Sequence, residues 1–254
     1  MKHSAACKKR YNLIDMLRGI AIANMIAFHF CYDFFKIYRV CSEWTSLPWV
    51  FIWERFICCT FIILSGISLN FSGKPVFRGI VVNICGFLIT AVTLIFVPRF
   101  PVWCGILNLI GTSMIVFGLL GKPLQKINST VGAVVSFLLF MLTYGIQFGY
   151  IGIFDIQLIP LPRLLYSSNA LVFFGFFPKG FFSVDYFPIF PWLFLFLFGM
   201  FLWRIIKENG QDTYFKKGSG IFCFLGRHSL IIYLIHQPAV MLAACLLAQM
   251  FNTY

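Results

Sequence analysis

Charged side chains are so sparse along this sequence that they divide it into apolar runs of membrane length. Twenty uncharged residues separate Arg78 from Arg99, 22 separate Arg99 from Lys122, and 28 separate Lys126 from Asp155. A helix needs about 20 apolar residues to cross the hydrocarbon core, so these runs predict spanning helices and not the buried helices of a soluble domain. Seven segments qualify: 13–35, 50–72, 78–97, 102–121, 129–150, 187–206 and 228–250. The predicted fold class is all-α, a polytopic transmembrane helical bundle of about seven spans, with residues 1–254 as a single transmembrane domain.

An eighth candidate, Leu164–Pro178, has only 15 uncharged residues and is bracketed by Pro160, Pro162 and Pro178, too short and too broken for a full crossing. Charge distribution bears on it. With the N-terminus inside and this segment not crossing, 14 basic residues fall inside and 6 outside; if it crosses, the balance becomes 10 to 10. Basic residues collect in cytoplasmic loops, so seven spans are favoured, eight remaining possible, with 151–186 an external loop carrying an interfacial or re-entrant apolar piece. The N-terminus is then placed in the cytosol and the protein in a bacterial cytoplasmic membrane.

Composition supports this picture. The chain is 60% hydrophobic and 11% charged, with a mean hydropathy of +0.89, and 28 charged side chains cannot cover a soluble core that apolar. The formal net charge of +12 reports membrane topology; a nucleic-acid interface needs a basic face on a folded soluble surface. The nine cysteines lack metal-ligand spacing and read as small buried hydrophobes. Arg18 and His29 interrupt the apolar stretch after the basic start Lys2, Lys8, Lys9 and Arg10, and no small-residue cleavage site follows, so this is expected to be a retained first helix.

Ionisable residues inside spans are costly in lipid and mark candidate chemistry. In the first helix Asp15, Arg18, His29 and Asp33 surround an uncharged run of only 14 residues, so some must be buried. Eleven positions put Arg18 and His29 on one face, roughly 16 Å apart along the axis. Asp33 follows His29 at i+4, the spacing at which a carboxylate accepts from an imidazole and sets its tautomer. His29 is thus a candidate base with Asp33 as its orienting partner; the structural alternative is a snorkelling Arg18 and an interhelical hydrogen bond from His29.

The last span carries Gly226-Arg227-His228-Ser229, then Tyr233, His236, Gln237 and Pro238. Gly226–Ser229 reads as a loop entering a helix from the cytosol, where a positive helix N-terminus beside Arg227 suits phosphate. His236 lies on the face of Ser229, about 10 Å further in, and Pro238 opens the backbone nearby. An external patch, Asp185-Tyr186-Phe187-Pro188-Ile189-Phe190-Pro191-Trp192, reads as an interfacial aromatic belt in which Asp185 and Tyr186 are candidate substrate contacts. Nucleotide-loop, metal-ligand and nucleophile-elbow motifs are missing, which disfavours an ATP-driven pump or a metalloprotease.

Four stretches taken together carry a resemblance: Leu13-Ile14-Asp15-Met16-Leu17-Arg18-Gly19-Ile20-Ala21-Ile22 leading to His29 and Tyr32-Asp33; Ser65-Gly66-Ile67-Ser68; Asp185-Tyr186-Phe187-Pro188 with Phe190-Pro191-Trp192; and Leu225-Gly226-Arg227-His228-Ser229-Leu230 on to Gln237-Pro238. In this order they resemble the bacterial membrane proteins grouped with the catalytic domain of heparan-alpha-glucosaminide N-acetyltransferase. The Arg18–His29 spacing is also similar to that of membrane acyltransferases that O-acetylate bacterial surface polysaccharides. The resemblance implies acyl transfer across the membrane, from cytosolic acetyl-CoA as co-substrate, without metal, to the amine or hydroxyl of a sugar-like acceptor outside.

That reaction class needs a base for the acceptor, donors for the oxyanion and a cationic site for the CoA phosphates. His29 with Asp33 suits the base, with His236 as the alternative. Arg18 and Arg227, with His228 and Ser229, suit the phosphates; Asp185, Tyr186 and Gln237 are the candidate acceptor contacts. The competing class is a small-molecule or proton-coupled transporter using the same buried residues. Expected partners are acyl-CoA, a glycan-like acceptor and lipid, with a homo-oligomer possible and nucleic acid not expected.

Overall fold

The computed structural model describes residues 11–153 and 155–250. The basic start Lys2, Lys8, Lys9 and Arg10, and the C-terminal Tyr254, lie outside the described residues. Among the described residues, eight α-helices occur: α1 (Asn12–Tyr32), α2 (Pro48–Leu69), α3 (Pro75–Phe96), α4 (Ile106–Lys126), α5 (Ser129–Thr143), α6 (Ile189–Glu208), the short α7 (Ile221–Arg227) and α8 (Ser229–Met250). A π-helical turn, Asp33–Ile37, prolongs α1, and a 3-10 turn, Tyr144–Phe148, prolongs α5. All but α7 are long and apolar enough to cross a membrane, which makes seven spans and an integral membrane protein. The all-α polytopic fold expected from the apolar runs is the one observed.

The chain forms two compact units, one made of residues up to Leu64 and from Ile206 onward, the other of Ser65–Ile205. In the second, α3 and α4 pack through glycine. A Cβ on Gly79 would stand 2.6 Å from the Gly111 carbonyl, and one on Gly86 2.7 Å from the Asn108 side chain. Lipid supplies no hydrophobic force between helices, so close backbone approach and polar bonds hold such a pair. Here the amide of Asn108 donates to Asn83 at 3.4 Å and that of Asn83 to Thr112 at 3.4 Å. Elsewhere in this unit the Arg204 guanidinium donates to the carbonyls of Leu124, Gln125 and Ile127, at the end of α4 where carbonyls run short of helical donors.

Helix α4 begins four residues later than the expected 102–121 and runs to Lys126. Its start is set by tertiary contacts. The Asp185 carboxylate accepts from Ile106 N at 3.3 Å, Trp103 N donates to the Ser183 hydroxyl at 2.9 Å, and Val184 N donates to Pro101 O at 3.1 Å. Leu164–Pro178 forms no long helix. It contains parts of two short 3-10 turns, Arg163–Tyr166 and Asn169–Phe174, the second ending at Gly175 with φ +109°. Preceding it is a two-stranded antiparallel hairpin, β1 (Tyr150–Ile153) with β2 (Ile156–Pro160), Tyr150 opposite Pro160 and Ile153 opposite Ile156. The apolar pattern did not announce this hairpin, because every residue of β2 is exposed and the strand shows no buried alternation.

The other unit positions the candidate chemistry. Helix α7 runs back along α1, turns at His228 (φ −102°, ψ 16°) and continues as α8. Gly226 and Arg227 therefore belong to the last turn of α7, and the loop expected at 226–229 reduces to a one-residue corner. The reason is packing: a Cβ on Gly226 would overlap the Asp15 carbonyl and one on Gly19 the Phe222 carbonyl, so glycine lets the two backbones touch. Between the charged end of α1 and His29 lies an apolar core of Ile22, Met25 and Ile57, flanked by Ile26, Phe28, Trp53, Phe61, Ile232 and Tyr233.

Candidate functional site

Two polar clusters stand on α1 at opposite ends of that apolar core. The first is ionic. Asp15 takes Arg18 Nη1 at 3.3 Å on one oxygen, and Arg227 Nε stands 3.7 Å from the other. Arg18 also donates to the Gly226 carbonyl at 3.3 Å, covering an acceptor at the end of α7, while Arg227 Nη2 donates to Asn12 Oδ1 at 3.2 Å. Two guanidinium groups sharing one carboxylate leave a net positive charge, and the partly exposed Arg227 carries it outward. His228 and Ser229 occupy the corner beside it; the His228 ring lies tilted against Phe224 at 4.4 Å and its Nδ1 lies 2.9 Å from the Phe224 carbonyl. Nearby, Tyr11 donates to Asp212 at 2.9 Å; burial, then that carboxylate, push its phenol up.

The second cluster brings together four residues singled out in the sequence. His29 on α1 and His236 on α8 face each other with ring centroids 5.0 Å apart. Asp33, 3% exposed, accepts from Gln237 Nε2 at 3.0 Å and 3.3 Å on its two oxygens. The i+4 pairing expected between His29 and Asp33 is replaced by this interhelical one. The physical cause is the packing of α8, which brings the Gln237 amide against both carboxylate oxygens just where a π-helical turn opens in α1. Such turns concentrate at functional sites.

Hydrogen bonding fixes the tautomer of His236. Its Nδ1 lies 2.7 Å from the Tyr233 carbonyl, which can only accept, so Nδ1 carries the proton and Nε2 the lone pair. Nε2 is buried and makes no hydrogen bond among the described residues, and neither does Oε1 of Gln237, the following residue. Pro238, one position further, withholds the amide that would otherwise bond the Leu234 carbonyl and so loosens α8 at this level. A buried lone pair on the imidazole that faces His29 makes a site that can take a proton from a hydroxyl or amine.

Sequence reasoning overlooked the aromatic surround. Phe28 meets His29 edge-on at 6.1 Å and stacks on Tyr32 at 6.4 Å. Trp53, whose indole N–H donates to Asn24 Oδ1 at 3.2 Å, meets Phe28 at 5.4 Å. The available signal was the i,i+4 spacing of Trp49 and Trp53 at the start of α2. The remaining candidates, Asp185 and Tyr186, belong to the other unit. Asp185 receives the first amide of α4, as described above. The Tyr186 hydroxyl donates to Val172 O at 2.6 Å, and burial pushes its phenol up, so it remains a protonated donor holding the 169–174 turn. Among the described residues no group of three or more His, Cys, Asp or Glu is placed to hold a metal ion.

Residues 10–238 match the sequence profile of a family described as heparan-alpha-glucosaminide N-acetyltransferase, catalytic. No curated protein and no solved structure matches the chain.

Proposed function

Because the chain belongs to the heparan-alpha-glucosaminide N-acetyltransferase catalytic family and is thus a membrane acetyltransferase, we propose that it moves an acetyl group from cytosolic acetyl-CoA to the amine or hydroxyl of a sugar-like acceptor bound from the outer side. In this reading α1 starts in the cytosol, as the basic asymmetry favours, and the Arg18–Arg227 end receives the CoA phosphates. Arg18 is largely engaged with Asp15 and Gly226, so Arg227 is the phosphate contact, with His228 and Ser229 beside it. The pantetheine arm then carries the thioester along α1, past the Ile22–Met25 core, toward the histidines.

The observation that carries the proposal is the His29–His236 pair, with a buried lone pair on His236 Nε2. His236 takes the acceptor's proton as the acceptor attacks the thioester carbonyl. The tetrahedral intermediate collapses, the C–S bond breaks, and CoA leaves as the thiol with the proton that His236 took from the acceptor, which returns His236 to its neutral form beside His29. Asp33 acts through Gln237, holding α8 against α1 so that the two rings stay opposed. The base role first assigned to His29 thus passes to His236, the imidazole whose tautomer the backbone sets; His29 remains in the machinery as its partner.

Purified protein supplied with acetyl-CoA and an amino sugar tests this. Wild type is expected to form acetylated sugar, or slowly to hydrolyse acetyl-CoA when no acceptor is supplied. His236→Ala and His29→Ala are each expected to lose on the order of 10²-fold or more in turnover while still binding acetyl-CoA. Normal turnover in both variants sinks the histidine mechanism. Acetyl-CoA-independent flux of a solute through reconstituted vesicles, without any acyl transfer, would favour the transporter class instead.

A further inference from the structure

Independently of the acyltransferase reading, we propose that the β1–β2 hairpin is a monotopic membrane anchor: β2, with Leu164 beyond it, lies in the headgroup and upper acyl region of the leaflet in which the α5 span ends. Strand β1 is held by the protein, with Tyr150 and Gly152 buried, whereas every residue of β2 is exposed. Gln157 is the one polar side chain of β2. Ile156, Leu158 and Ile159 are each at least 57% exposed, and Leu164 is 81% exposed. Nothing among the described residues therefore covers either face of an apolar strand, and contiguous exposed apolar groups of this kind mark a surface that something else covers.

Position, charge and backbone pairing identify that cover as lipid. The α5 span runs to Phe148, itself exposed, and β1 begins two residues later, so the lipid-facing surface of the span continues into the hairpin on whichever side α5 ends. A strand edge in water is guarded by charged side chains, lysine above all, yet Asp155 at the hairpin turn is the one charged residue between Lys126 and Arg163. Pairing with a second copy of the chain is disfavoured by the ladder itself. Ile151 stands opposite Ile159 and Gly152 opposite Gln157, which leaves Leu158 as an extra residue in β2. Such a bulge breaks the regular row of donors and acceptors that a further strand would need, and Pro160 supplies no N–H. Depth follows from the same backbone groups: open sheet edges are not tolerated in the hydrocarbon core, so the hairpin stays where water still reaches them, with the exposed Arg163 at the level of the phosphates. The interfacial piece expected at 164–178 thus moves toward the N-terminus. Within that stretch Val172 and Gly175 are buried and the Tyr166 hydroxyl donates to the Ile146 carbonyl.

Depth-dependent quenching tests the anchor. Single cysteines at 155, 156, 158, 159 and 164, introduced one at a time into the full chain cleared of native cysteines, carry a bimane fluorophore in nanodiscs of phosphatidylcholine and phosphatidylglycerol. Quenching by lipids spin-labelled near the headgroup end of the acyl chain is compared with quenching by lipids labelled near its methyl end and by aqueous iodide. Positions 156, 158, 159 and 164 are expected about 5–10 Å below the phosphates and are quenched most by the shallow label, whereas position 155 is quenched most by iodide. Iodide quenching of the β2 positions equal to that at 155 overturns the anchor. Strongest quenching by the deep label overturns it in favour of a re-entrant segment, and protection from all three quenchers overturns it in favour of a second copy seated on the strand. Leu158→Asp combined with Ile159→Asp should leave the detergent melting temperature unchanged, since neither side chain is covered by protein, and should raise iodide quenching at 156 in nanodiscs by about twofold or more. A lower melting temperature with unchanged iodide quenching would mean that β2 packs on protein, which also refutes the anchor.

Discussion

Gln237 has no charge to titrate and no nucleophile, yet the arrangement of the site depends on it. Its amide nitrogen supplies two hydrogen bonds to Asp33, and a carboxylate buried without donors costs about 1–3 kcal/mol or more. Gln237→Leu is therefore expected to lower the detergent melting temperature and to reduce turnover by about tenfold or more, as the opposed imidazoles lose their register. Asp33→Asn, which removes the buried charge and keeps one acceptor oxygen for the Gln237 amide, should be milder in the same melting assay. The order reverses if Asp33 acts on His29 directly and Gln237 is a bystander, since the carboxylate would then be the group that matters. Arg18 follows the same logic: much of its hydrogen bonding is spent on Asp15 and on the α7 carbonyl, so an intramembrane arginine need not be a ligand.

Helix α7 has only seven residues, too few to be stable by itself. What holds it is backbone contact with α1 through Gly19 and Gly226, with Cys223 Sγ lying 3.4 Å from Asn12 O and Arg18 on the Gly226 carbonyl. Because α7 leads directly into α8, this crossing also sets the direction of α8 and, two turns later, the position of His236. Gly19→Ala and Gly226→Ala each place a methyl into a carbonyl of the facing helix, and a backbone atom cannot rotate away. Each is expected to cost about 3 kcal/mol or more and to lower the melting temperature, followed in detergent by fluorescence-detected size exclusion after heating. Gly73→Ala is the control, since nothing lies within 4 Å of its added Cβ. Equal melting of all three variants would mean that the crossing contributes little to stability.

For the whole molecule the open quantity is sidedness. Seven spans put Arg163 and Lys179 on one side of the membrane and Lys217 on the other, because the short 3-10 turns between the first two do not cross. Single cysteines at these positions, in a background cleared of native cysteines, should label with a membrane-impermeant maleimide as follows: 163 and 179 from outside in intact cells, 217 only after permeabilisation. Labelling of 163 and 179 from opposite sides would establish an eighth crossing and reverse the orientation of α6. The same experiment bears on the acyltransferase reading, which needs the Arg227 end to face the cytosolic acetyl-CoA pool.

Element identity was legible in the amino-acid sequence because a bilayer imposes a length and a polarity on every segment that crosses it. Seven apolar runs became seven spanning helices, and the costly polar residues on the first and last of them, Arg18, His29, Asp33, His236 and Gln237, turned out to share one compact unit with Arg227 of α7. The family was legible for a related reason, since motif order survives where no single motif is specific. The partners of those residues were not legible. Spacing along one helix offers only i+3 and i+4 neighbours, so Asp33 was assigned to His29. The packing of α8, which no hydrophobic period encodes, brought to that carboxylate the amide of Gln237, more than two hundred positions away. The tautomer of His236 likewise depends on a carbonyl distance. Local rules governed where helices form, and which side chains meet was decided only when α1, α2, α7 and α8 packed together.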